Sequence, residues 1–148
     1  MTSSSSPTRR RADNASDIET LALVAARSAD ARKAETVTVL EVGPILSVTD
    51  YFVIATASNT RLVAAIVDSV EEAVKRAGGP GPTSTEGLNE ASWVLLDYGG
   101  FVVHVFTNET YAFYDLERLF ADAKRISWQE DSSSATSDEQ AAASLAGD

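Results

Sequence analysis

Apolar residues recur at helical spacing in three stretches of the chain and at strand spacing in four. Ile18, Leu21 and Ala25 share one stripe, and Ser16-Asp17-Ile18-Glu19 ahead of them has the form of a capping box. In such a box the Ser oxygen and the Glu carboxylate reciprocally satisfy free amides at a helix start. This predicts a helix from Ser16 to about Lys33, with Arg32 and Lys33 favourable at its C-terminal dipole. Thr36–Val42 (TVTVLEV) is β-branched and strand-like, and Gly43-Pro44 ends it. Tyr51–Ala57 (YFVIATA) is apolar on both faces, as in a strand in the middle of a sheet.

A sharp strand-to-helix switch follows at Ser58, Asn59 and Thr60, all good N-cap residues. The next helix aligns Leu62, Ile66, Val70 and Val74, with Glu71–Lys75 and Glu72–Arg76 as i,i+4 pairs in the favourable order. Gly78–Pro82 (GGPGP) stops it. Two more strands are predicted, Trp93–Tyr98 and Phe101–Phe106. A last helix is expected from Asn108 to about Arg125, with Ala112, Leu116, Leu119 and Ala123 inward. The order α-β-β-α-β-β-α predicts an α/β (α+β) fold, a single domain with a mixed β-sheet flanked by helices. The strand–helix–strand segment from Tyr51 to Tyr98 is expected to be a right-handed crossover that places those strands parallel.

Gly99-Gly100 reads as a two-residue hairpin turn, which sets Asp97 opposite Val102, Leu95 opposite His104 and Trp93 opposite Phe106. One face is then Val94, Leu96, Tyr98, Phe101, Val103 and Val105, almost wholly apolar, and expected to pack against helices. The other is mixed: Trp93, Leu95, Asp97, Val102, His104 and Phe106. Asp97 and His104 become diagonal neighbours, about 7–8 Å apart at Cβ.

Charge narrows the partners. The net charge is −10 over 148 residues; residues 1–16 carry +2 and residues 129–148 carry −5, which leaves −7 for the centre. Such a centre repels phosphate backbones, disfavours direct nucleic-acid binding and favours a basic protein partner. Residues 1–15, with Arg9, Arg10 and Arg11, and residues 129–148 are low-complexity and poor in apolar side chains, so both are expected to be disordered tails around a domain of residues 16–128. The chain has no cysteine, which removes thiol nucleophiles, disulfides and thiolate metal sites. No apolar run approaches the roughly 20 residues of a membrane helix, and the N-terminus lacks the apolar core of a secretory signal. A cytoplasmic location is expected.

The one histidine, His104, lies near Asp97, an arrangement that can orient a base for a Ser nucleophile such as Ser58. The segment around Ser58 has no glycines to admit a nucleophile elbow, however, and one histidine with scattered carboxylates makes no metal-ligand cluster. His104 is therefore read as a hydrogen-bonded strand histidine and Asp97 as a carboxylate supporting the turn. No catalytic residue, cofactor or metal is expected. Trp93 and Phe106 with a few polar neighbours have the composition of an interface.

Four blocks carry a resemblance: SVTDYFVIATASNTRLVAAIVDSV, Glu86-Gly87, WVLLDYGGFVVHVF and AFYDLERLF. In this order they resemble the ribosomal silencing factor family, also called Iojap, over roughly Ser16 to Ala123. Asp50, Arg61, Glu86, Gly87, Trp93, Asp97, Gly99, His104, Tyr114, Glu117 and Leu119 stand where that family's pattern expects them. Gly100, Leu62, Tyr111 and Phe120 depart from it. The resemblance implies a nucleotidyltransferase-like fold without that chemistry. It also implies a translational repressor that binds the large ribosomal subunit through ribosomal protein L-fourteen and blocks small-subunit association. A homodimer of the free protein is also in view. The candidate partner-binding residues are Trp93, Leu95, Asp97, His104 and Phe106 from the mixed face, with Glu86 and Tyr114. Two other classes stay open: a large-subunit assembly factor or other protein-binding module, and a degenerate nucleotidyltransferase enzyme. The latter is weakened by Ala57-Ser58 where a Gly-Ser is needed, and by an Asp115-Leu116-Glu117 pattern that falls on a predicted helix.

Overall fold

The computed structural model describes residues 6–129. The chain runs α1 (Ser6–Ala31), β1 (Thr36–Glu41), α2 (Gly43–Leu46), β2 (Tyr51–Ala57), α3 (Thr60–Arg76) and β3 (Ser84–Glu86). It continues with β4 (Trp93–Asp97), β5 (Phe101–Thr107), α4 (Asn108–Phe113), α5 (Leu116–Leu119) and β6 (Lys124–Ile126). The strands form one mixed sheet in the order β3-β4-β5-β2-β1-β6, in which β2 and β5 pair parallel and every other neighbouring pair is antiparallel.

The first helix starts ten residues upstream of the predicted cap, so Ser16–Glu19 is helix interior and not a capping box, and residues 6–15 are helical where a tail was expected. Nothing between Pro7 and Ser16 breaks a helix, and Pro itself is tolerated in a first turn. The expectation for residues 130–148 lies outside the described residues. Along α1, Ala22, Ala25, Ala26 and Ala29 are fully buried, and their small side chains let the helix lie close against α3 and the sheet. On α3, Asn59 accepts the Leu62 N–H at 2.8 Å as the N-cap, and Val63, Ile66, Val67, Val70 and Val74 face inward. Of the two charge pairs read along this helix, Glu72–Arg76 closes at 2.7 Å between exposed side chains and contributes little.

The hairpin has the expected register: Trp93 opposite Phe106, Leu95 opposite His104, Asp97 opposite Val102. Its apolar face joins α1 and α3 in the larger core. The crossover expectation needs correction. The strand parallel to β2 is β5, and β4 runs antiparallel to both, because GGPGP carries the chain to the sheet edge, where β3 forms first.

The last predicted helix is also corrected. It breaks at Asp115, which adopts φ 53°, a left-handed conformation that Asp tolerates. Two short helices result, and the chain then returns to pair with β1 as β6. Strand pairing at the sheet edge overrides local helix propensity. Of the four residues expected inward, Leu116 is buried and Ala123 is partly buried, whereas Ala112 and Leu119 are exposed. Beyond β6, the Trp128 indole N–H donates to the Val37 carbonyl at 3.1 Å, and Arg27 Nε donates to the Trp128 carbonyl at 2.9 Å.

Candidate functional site

The second sheet face is covered incompletely, because only the short helices α2, α4 and α5 lie over it. Leu40, Val42, Ile54, Phe106 and Leu116 form a small core there, with Phe52, Trp93, Tyr111, Phe120 and Ala123 packed around it. Strand register aligns Glu86, Leu95, His104 and Ile54 in one row across four strands. Trp93 stands at the end of the next row, half-buried, with its ring 4.7 Å from Phe106 and 5.7 Å from Tyr114.

Trp93 settles the chemistry of His104. The indole Nε1–H can only donate, and it donates to His104 Nδ1 at 3.2 Å, so the neutral imidazole carries its proton on Nε2. Burial alone pushes the His104 pKa down to about 4. The ring is stacked on Phe106 and edge-on to Phe52. Asp97 does not engage it: its Oδ1 accepts the Gly99 N–H at 2.8 Å inside the turn, where Gly99 has φ 89°. The histidine is thus a hydrogen-bonded strand residue, and the carboxylate supports the turn, as read from the sequence.

Ser58 is exposed and its Oγ accepts from Asn59 Nδ2 at 3.3 Å, with no bond to the imidazole. Asp115, at the break between α4 and α5, pairs with Arg118 at 3.5 Å in solvent. Among the described residues no three His, Asp or Glu side chains gather as a metal site. The Asp–His pair of a triad is therefore not assembled: Asp97 bonds within the turn, and the acceptor nitrogen of His104 is occupied by tryptophan.

The partner-binding candidates separate into layers. Phe106 is fully buried and His104 nearly so, and both support Trp93 from beneath. Trp93, Leu95 and Asp97 are half-buried, Glu86 is exposed on β3, and Tyr114 is 55% exposed. Trp93 and Tyr114 line an open cleft of about 580 Å³ with Gly87, Leu88, Glu90 and Thr110. Gly87, at φ 88°, closes its floor: a Cβ there would stand 2.1 Å from the Trp93 carbonyl oxygen. Sequence reasoning missed the other exposed apolar residues, Phe113, Leu88, and Ile45, Leu46 and Val48 around α2. The only signal was an apolar PILSV run with no periodicity to assign it a face.

The class so defined is a single α+β domain whose mixed six-stranded sheet is helix-covered on one face and partly open and aromatic on the other. A family model described as "Ribosomal silencing factor during starvation" matches residues 15–147. A Bacillus subtilis protein named ribosomal silencing factor RsfS is 36% identical over 100 residues, covering 68% of this chain and 84% of the relative. A mouse protein named mitochondrial assembly of ribosomal large subunit protein 1 is 32% identical over 89 residues, covering 59% of this chain and 39% of its own. A crystal structure of a Chromobacterium violaceum protein superposes with a TM-score of 0.66 at 29% identity, over 70% of this chain and 86% of that one. This chain belongs to the ribosomal silencing factor family.

Proposed function

We propose that the protein is a translational repressor that binds the large ribosomal subunit through ribosomal protein L-fourteen and sterically blocks association with the small subunit. The observation that carries this reading, beside family membership, is the Trp93–Tyr114 cleft, which Glu90 also lines, on a chain of net charge −10. A half-buried tryptophan and an exposed tyrosine with an acidic neighbour suit a basic protein surface and disfavour bare ribosomal RNA. Trp93 is the anchor, and His104 and Phe106 hold it in place. Action in the cytoplasm and without catalysis belongs to the same reading.

Co-sedimentation of the purified protein with isolated large and small subunits tests it. The expected result is a complex with large subunits alone, and reduced joining when small subunits are added. Binding to small subunits, or binding to large subunits without any effect on joining, overturns it. A second reading, assembly of the large subunit, is favoured by the name of the mouse relative. Association with precursor particles and not with mature large subunits would select it.

A further inference from the structure

A second concavity opens on the same sheet face, between α2 and α5. Its volume is about 460 Å³, within the range of small-molecule pockets. Ile45 and Leu46 form one wall, Leu119 and Phe120 the other, and Phe52 and His104 also line it. The wall residues are large and open: Ile45 is 56% exposed and Leu119 is 69% exposed. The imidazole is oriented from the far side, because Trp93, on β4, holds Nδ1. Nε2, across the ring from Nδ1, therefore faces away from Trp93, and the Phe52 ring on β2 packs edge-on with the two ring centroids 4.6 Å apart. That nitrogen carries the proton, is buried, and has no hydrogen-bond partner among the described residues. A buried donor without an acceptor costs free energy that a ligand acceptor recovers.

We infer that this groove binds a small uncharged molecule with an apolar body and one hydrogen-bond acceptor, such as a ketone or amide, placed against His104 Nε2. Charge decides the class. Asp122 is the one charged residue of the lining and opposes an anion, which would also lose its hydration against apolar walls. A cation would meet the positive end of the Nε2–H dipole. A neutral acceptor fits both. The inference goes beyond the ribosomal reading and does not depend on it.

The test uses two probes of matched shape, acetophenone and α-methylstyrene, in which a CH₂ replaces the carbonyl oxygen. Each is titrated into isotope-labelled full-length protein while the His104 imidazole and Trp93 indole resonances are followed. Acetophenone is expected to shift both saturably and to bind at least about fivefold more tightly than α-methylstyrene, the reverse of their order of hydrophobicity. Leu119→Asp, at an exposed position that leaves the core intact, is expected to remove both probes. His104→Phe is expected to equalise them. Four results overturn the inference: no saturable shift, equal affinity of the two probes for the unmodified protein, binding indifferent to Leu119→Asp, or displacement of the probe by large subunits. Equal affinity would mean that the Phe52 ring already satisfies the N–H. Displacement would make the occupant a ribosomal segment.

Discussion

Trp93 and Asp97 are both diagonal neighbours of His104 across the β4–β5 hairpin, and the tryptophan alone bonds to it, Nε1 to Nδ1 at 3.2 Å. Trp93→Phe keeps most of the packing and leaves the buried Nδ1 without a donor. It is expected to cost about 1–2 kcal/mol of stability. Chemical denaturation of the two proteins measures it, and an unchanged midpoint would mean that the indole bond contributes nothing.

Trp93→Ala removes the proposed anchor as well. Truncating a tryptophan at an interface centre costs about 2 kcal/mol or more, roughly thirtyfold in affinity. A folded Trp93→Ala protein is therefore expected to sediment free of large subunits at concentrations where the parent is bound. If it sediments with them as the parent does, the anchor lies elsewhere on the face.

The depressed His104 pKa makes stability pH-dependent in a definite direction. The unfolded imidazole titrates near its usual 6.5 and the folded one at about 4, so the unfolded chain binds more protons between these values. Stability from the neutral histidine is fully present above pH 6.5 and is lost as pH falls toward 4, by about 3 kcal/mol in all. Urea midpoints at several pH values across this window, compared with those of His104→Gln, isolate the term. Parallel curves for the two proteins would refute it.

Gly87 combines a positive φ with contact against the Trp93 backbone, and a Cβ there would stand 2.1 Å from its carbonyl oxygen. Gly87→Ala is expected to destabilise by about 2–3 kcal/mol and to shift the Trp93 indole resonance. Gly99→Ala, also at positive φ but with open space around it, is expected to cost only about 1 kcal/mol. Thermal unfolding of the pair ranks them, and the reverse order would contradict the contact.

Trp128 lies two residues past the last strand and ties it to β1 and α1. A chain ending after Ser127 is expected to lose about 2 kcal/mol, while one ending after Gln129 should stay within about 0.5 kcal/mol of the full chain. Equal stabilities of the two truncations would show that Trp128 contributes nothing.

Much of this architecture was legible because strand parity is rigid. One two-residue turn determined the register of five residues on each side, and with it which face meets the helices. The same logic ended at side-chain choice. Parity places Trp93 and Asp97 equally near His104, and only packing decides which one bonds. Elements of three or four residues, such as α2 and β3, are too short to show a period. Leu119 was expected inward because its spacing from Leu116 and Ala123 suits one continuous helix. The turn at Asp115 dissolved that helix and left Leu119 facing solvent. The α2–α5 groove could not be foreseen for the same reason.

Both outer strands of the sheet, β3 and β6, are three residues long, and between them they carry Glu86, Lys124 and Arg125. A borrowed strand would find too few free amides and carbonyls there to hold it, and charged neighbours beside them. Recognition by main-chain ladder is disfavoured along both short outer strands. Contact of side chains with the broad face is favoured over capture of an extended peptide. The same short borders make the sheet a poor seed for end-on fibril growth, even at high concentrations of the protein.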